Sequence, residues 1–183
     1  MMAPGQRLAA LHDAIDRRQR LKWLFFWGHT QAAGEITKAC LSQWYASAFS
    51  IDGATYPTAE HWMMAEKARL FGDGDARSRI LAASHPGEAK KIGREVRGFD
   101  EATWTDARYG IVVRGNIAKF SADVALRQFL TGTGERVLVE ASPVDRTWGI
   151  GLAADDPRAQ TPSLWRGPNL LGFALMEARE ELR

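Results

Sequence analysis

The chain has one cysteine, Cys40. That excludes an internal disulfide and any zinc site built from several thiolates, and it fits a reducing compartment. No uncharged run approaches the ~18 residues of a membrane span. The opening MMAPGQRLAALHDAIDRRQR alternates apolar with charged residues and has no signal-peptide apolar region. The expectation is a cytoplasmic protein with no membrane partner. Charge of one sign is scarce too: 24 Lys and Arg against 22 Asp and Glu leave a formal net charge of +2. This is too little for a binder held by many phosphate contacts, and it leaves room for a small anionic ligand. There is no Gly-x-Ser-x-Gly elbow and no Gly-Lys-Ser/Thr phosphate loop, and Gly149-Ile150-Gly151 lacks the third glycine of a dinucleotide site. His12, His29, His61 and His85 have no metal-ligand spacing, so each reads as a surface or hydrogen-bonded core residue and no metal is expected. Repeats, low-complexity tracts and linkers are missing as well.

What is present suits a globular protein. With 183 residues, 45% hydrophobic and 25% charged, the chain is expected to form one domain over residues 1–183, with 1–22 as an N-terminal helical extension. Leu8, Leu11 and Ile15 predict an amphipathic helix over about Gln6 to Arg18. Lys22 to Trp27 predicts a short buried strand, and Asp52-Gly53 between apolar runs predicts a hairpin within Leu41 to Tyr56. Further helices are predicted over Ala76 to Ala83, Pro86 to Arg97, Glu101 to Lys119 after an Asp100 cap, and from a Ser121 cap through Leu130. A strand over Arg136 to Ala141 and a helix over Leu170 to Leu182 complete the pattern, with loops at Asp145 to Leu152 and Asp155 to Asn169. Few strands, many helices and no βαβ rhythm indicate a helix-rich α+β fold with a small β-sheet.

The most informative stretch is YPTAEHWMMAEKARLF, Tyr56 to Phe71. Pro57 and Thr58 predict a helix start, and Gly72 its end. Glu60, Met63, Met64 and Lys67 then share one face at i, i+3, i+4, i+7. A glutamate in a first turn suits the helix dipole and a lysine snorkels readily, which is the structural reading. The chemical reading is a cleft wall with an acid/base and an amine. Seven tryptophans exceed the needs of a core this size, and their rings suit core contacts or stacking on planar groups. Glu60, Lys67, Glu140 and Asp145 with Trp44, Trp104, Trp148 and Trp165 could hold a sugar and a flat base.

The succession LSQWYASAFSIDG, YPTAEHWMMAEKA, GEAKKIGREVRGF with Trp104, Lys119-Phe120, LVEASPVDRTWGIGL and WRGPNLLGFALMEAR closely resembles the YbiA-like or NADAR family, in order from about Phe25 to Arg179. One departure is Ser42-Gln43-Trp44, where members often have Ser-Asn-Phe. The resemblance implies an α+β fold, no metal or organic cofactor, and N-glycosidase activity. Some members hydrolyse ribosylated, phosphorylated pyrimidine intermediates of riboflavin synthesis, and others remove ADP-ribose from guanine. The implied partners are a small ribosylated or ADP-ribosylated substrate, including ADP-ribosylated nucleic acid. It also implies that Glu60, Lys67 and Asp145 are catalytic, and that Trp44, Trp104, Trp148, Gly149 and Asn169 bind substrate.

Two routes fit those residues. A neutral Lys67 can replace the leaving amine at C1′ and form an imine that water hydrolyses, with Glu60 moving the protons. Met63 and Met64 would favour the neutral amine and the charge on Glu60 would oppose it. Alternatively, Glu60 serves as acid and Asp145 as base or ribose clamp in direct hydrolysis. A different class is a non-catalytic ADP-ribose or nucleotide-binding module, which would have no need of the Glu60/Lys67 pair.

Overall fold

The computed structural model describes residues 4–30 and 34–183, so Met1 to Ala3 of the expected extension lie outside the described residues. Two compact units emerge: Met1–Ser42 with Gln128–Arg183, and Gln43–Arg127. The first is discontinuous in sequence, and the second is a continuous stretch between its halves.

The continuous unit is built on α2, Ala59–Leu70. A hairpin delivers the chain to it: β2, Phe49–Ile51, pairs antiparallel with β3, Ala54–Tyr56. Asp52 at φ 51° and Gly53 at φ 78° make the turn, the geometry that lets a two-residue loop follow the twist of its strands. Thr58 caps α2, its hydroxyl accepting the His61 N–H at 3.4 Å. The helix closes at Phe71, and Gly72 follows at φ 71°. Nine of its twelve residues are buried, so it is a central helix enclosed on most sides, and the stripe carrying Glu60 to Lys67 is one wall among several.

Around it pack α3, Gly74–Ala82; α4, Pro86–Arg94; and α5, Glu101–Ala122. Two glycines set the close approaches. A Cβ on Gly115 of α5 would collide with the Trp62 ring, and one on Gly93 of α4 would meet the Met64 side chain. Asp73 caps α3, and Asp100 caps α5 as anticipated. Ser121 is not a cap. The long helix runs past it to Ala122, and Asp123, in extended geometry, accepts the N–H groups of Ala125 and Leu126 and starts α6, Val124–Gly132. A carboxylate that reaches two free first-turn amides outcompetes a serine placed inside a continuing helix.

In the discontinuous unit, β1, Trp23–Phe26, pairs in parallel with β4, Val137–Glu140, in the register Trp23↔Val137 to Phe26↔Glu140. Only Phe26 of β1 is buried, so this strand is less enclosed than its aromatic content suggested. β4 packs under α7, Leu170–Glu181, with Leu171, Ala174, Leu175 and Ala178 all buried. Gly172 permits that approach, since a Cβ there would strike the Leu138 carbonyl oxygen. The N-terminal helix α1, Pro4–Asp16, packs on α7 and is held by Arg7, which reaches Glu180 at 2.9 Å and Glu177 at 3.6 Å. The fold is thus helix-rich α+β, and its strands form two separate pairs among the described residues.

Candidate functional site

The sequence-derived set divides between the units. Glu60, Lys67, Trp104 and Trp44 lie in the continuous unit; Asp145, Trp148, Gly149 and Asn169 lie in the discontinuous one.

Glu60 is 3% exposed in the first turn of α2, where a carboxylate faces the positive end of the helix dipole. Its N–H donates to the Gln43 carbonyl at 2.9 Å. The neighbouring His61 is fully buried, with Nε2 donating to the Ala83 carbonyl at 3.1 Å and Nδ1 2.8 Å from the Thr58 hydroxyl. A carbonyl can only accept, so the proton sits on Nε2 and Nδ1 takes the Thr58 hydroxyl proton. Burial lowers the pKa of this imidazole, which keeps it neutral and keeps the start of α2 tied to the end of α3.

Lys67 lies two turns on, about 10 Å along the axis at ~1.5 Å per residue. Its Nζ donates to the Gly93 carbonyl at 2.8 Å and sits 4.2 Å from the centre of the Phe99 ring and 5.6 Å from that of Trp104. Burial lowers its pKa, and the carboxylate that works against this is Glu101, not Glu60. The helical rise explains the correction, because residues sharing a face at i and i+7 are separated by two turns, whereas Glu101 opens the helix that carries Trp104. Trp104 is 8% exposed. Trp44 is half-buried against α4, edge-on to His85 at 5.7 Å with Lys90 Nζ 5.9 Å from its ring centre.

In the other unit the loop after β4 folds back on itself. Asp145 Oδ1 accepts the N–H groups of Thr147 at 2.8 Å and Trp148 at 2.7 Å, an arrangement in which the carboxylate shapes its own turn. Gly149 has no room for a side chain: a Cβ would lie 2.8 Å from the Glu140 carbonyl oxygen. The half-buried Trp148 is pinned through its main chain, its carbonyl accepting the Leu171 N–H at 3.0 Å, and among the described residues its ring joins no aromatic pair.

Asn169, expected to contact substrate, has its side chain on the main chain of β4. It is fully buried at φ 56°; its Oδ1 accepts the Glu140 N–H at 3.0 Å, and its Nδ2 donates to the Leu138 carbonyl at 2.9 Å. Both ends of the amide bond the main chain of β4, so Asn169 ties the start of α7 to that strand. Sequence reasoning also passed over Phe99, Glu101, Asn116 and the environment of Lys119. Lys119 is fully buried, with Nζ 5.5 Å from the Tyr45 ring centre. Only the Phe99-Asp100-Glu101 run, an aromatic beside a cap, carried a signal in the sequence.

The family model described as the NADAR domain matches residues 25–183. N-glycosidase R617 of Acanthamoeba polyphaga mimivirus is 41% identical over 167 residues, 87% of this chain and 96% of that protein. N-glycosidase YbiA of Escherichia coli strain K12 is 32% identical over 141 residues, 77% of this chain and 79% of its own. An NMR structure of the E. coli protein YbiA aligns with a TM-score of 0.71 at 28% identity, covering 88% of this chain and 84% of that one. The chloroplastic riboflavin biosynthesis protein PYRR of Zea mays is 35% identical over 138 residues, 72% of this chain and 20% of that protein.

Proposed function

The chain belongs to the NADAR family and is an N-glycosidase like the relatives named above, and from that premise we propose that it cleaves the bond between C1′ of a ribose and an amino nitrogen of a pyrimidinone or guanine. The ribose is phosphorylated or part of ADP-ribose. The similarity to a riboflavin biosynthesis protein supports the pyrimidinone.

The observation that carries the mechanism is the state of Lys67: an amine whose pKa burial lowers, close to the Phe99 and Trp104 rings, on the helix that bears the buried Glu60. Opening of the ribosylamine gives an imine at C1′. Neutral Lys67 adds there, forming a C–N bond, and Glu60 delivers a proton to the departing amine as its bond to C1′ breaks. The lysine imine then takes water and releases the sugar aldehyde, which recloses. In this reading Trp104 and Trp148 stack on planar parts of the substrate, Trp44 and Gly149 line its path, and Asp145 holds the ribose hydroxyls; direct hydrolysis would give Asp145 the base role instead. No cofactor takes part in either route.

Purified protein incubated with a phosphoribosylated aminopyrimidinone, and separately with ADP-ribosylated guanine in DNA, tests the function. Release of free base from either confirms glycosidase action and identifies the aglycone. Tight binding to both without release would support the non-catalytic binding module.

A further inference from the structure

Among the described residues, the hydrogen bonds of Gln43 lead to α2 and α5. Its main-chain carbonyl accepts the N–H of Glu60 at 2.9 Å, one of the first-turn donors that a helix cannot satisfy internally. Its side-chain Nε2 donates to Asn116 Oδ1 at 3.1 Å, and Asn116 Nδ2 donates to the Val112 carbonyl at 2.9 Å. The orientation of both amides is forced by chemistry. Val112 offers only an acceptor, so Asn116 must turn its NH2 group there and its oxygen to Gln43, which must supply a donor. The remaining atom, Gln43 Oε1, is buried and has no hydrogen-bond partner among the described residues. Gln43 is 8% exposed, Asn116 0% and Glu60 3%. Buried polar atoms left in this state are exceptions that lower stability, and two apolar side chains of the same size would fill the space without the penalty.

We propose that Gln43 and Asn116 are positioning residues for Glu60. The amide pair ties residue 43 to α5, and the carbonyl of residue 43 in turn holds the turn of α2 from which the Glu60 carboxylate projects. Stability is given up for placement, because proton transfer tolerates displacements of only a fraction of an ångström, and a shift of ~1 Å can cost about 100-fold in rate. This inference rests on the role given to Glu60 above.

The test is Gln43→Met combined with Asn116→Leu, which removes both amides together and leaves neither partner unmet. Positioning predicts a melting temperature equal to or above that of the wild type, with kcat on a ribosylated aminopyrimidinone lowered about 10- to 100-fold. KM should stay within about twofold while the basic limb of the kcat–pH profile moves, since Glu60 must be protonated to serve as the acid and that limb follows its loss of the proton. Wild-type kcat and profile in the double variant would overturn the proposal. A lowered melting temperature with the lost activity would overturn it too, because the amides would then serve the fold. Should the double variant not fold, Asn116→Ala must show the same kcat loss and shifted limb, and a wild-type profile refutes the inference. Glu60→Gln on the same substrate separates the two failures. If that variant is active, the role of Glu60 falls and takes the inference with it; if it is inactive while the amide variants behave as wild type, positioning alone falls.

Discussion

Glu60 and Lys67 make separable predictions because one moves protons and the other forms a bond. Glu60→Gln keeps the size and hydrogen-bonding capacity of the side chain but cannot transfer a proton. Turnover should fall roughly 10²- to 10⁴-fold, with an unchanged circular dichroism spectrum. Near-normal turnover would remove Glu60 from the chemistry. For Lys67, borohydride added during turnover should reduce the imine to a secondary amine, and peptide mass spectrometry should find the sugar on Lys67. Lys67→Arg should lose adduct and activity together, since arginine stays charged. An adduct on the Lys119 peptide, or turnover with no adduct, would instead assign Lys67 to binding. The pH dependence has a definite sign. Burial lowers the Lys67 pKa below its ordinary 10.5 and Glu101 raises it, so activity should rise with pH through that lowered value. Glu101→Gln should move the limb to lower pH. By linkage, the unfolded chain binds more protons between the lowered value and the ordinary one, so Lys67 adds to stability as pH rises across that window.

At the scale of helices, α2 meets its neighbours through glycines whose replacement should differ in cost. Alanine at either Gly93 or Gly115 gains about 0.5–1 kcal/mol of helix propensity. At Gly115 the new methyl group meets the indole of Trp62, whose Nε1 is anchored to the Ile111 carbonyl at 2.7 Å. A rigid ring cannot yield, so overpacking of about 1–3 kcal/mol should win and Gly115→Ala should be destabilising. At Gly93 the obstacle is the unbranched side chain of Met64, which can change rotamer. Gly93→Ala should therefore be close to neutral in stability while disturbing the carbonyl that Lys67 uses. Urea unfolding of both variants checks the ranking, and equal losses would mean that Trp62 and Met64 are equally able to adapt.

For the molecule as a whole, the family match begins at residue 25, after α1. The role of that helix can be read from its ion pairs. Arg7 and Glu177 side chains are 10% and 9% exposed, whereas Glu180 is 51% exposed. The buried Glu177 matters more, since an exposed pair contributes little. Arg7→Ala should cost about 1–3 kcal/mol of stability by leaving that carboxylate short of a cation, with kcat unchanged. The Arg7 bond lowers the Glu180 pKa, so this part of the stabilisation is present above the ordinary carboxylate value and disappears as pH falls through the lowered one. Thermal melts of the variant and wild type should converge in acid. A variant with lost activity and intact stability would give α1 a part in the reaction. No described helix is long and apolar enough to cross a membrane.

Local chemistry was legible in the chain wherever a residue acts on its own neighbours. Asp52-Gly53 dictated the hairpin, Thr58 and Asp100 the helix starts, Gly72 a helix end, and Leu171 to Ala178 the buried face of α7. These effects reach only a few residues along the backbone, so sequence spacing is enough to read them. Spacing misled where two local signals competed, as when Asp123 took the capping role from Ser121, because the strength of each cap depends on the geometry reached. What sequence could not supply were partners far apart along the chain. Lys67 has Gly93, Phe99 and Glu101 around it, Gln43 has Asn116, and β1 has β4 more than a hundred residues on. Asn169 belongs with them: its place before the last helix was visible, but only packing turned its amide to the main chain of β4. Burial sets the pKa of a lysine and the satisfaction of an amide, and burial is a property of the packed molecule that no stretch of sequence holds alone.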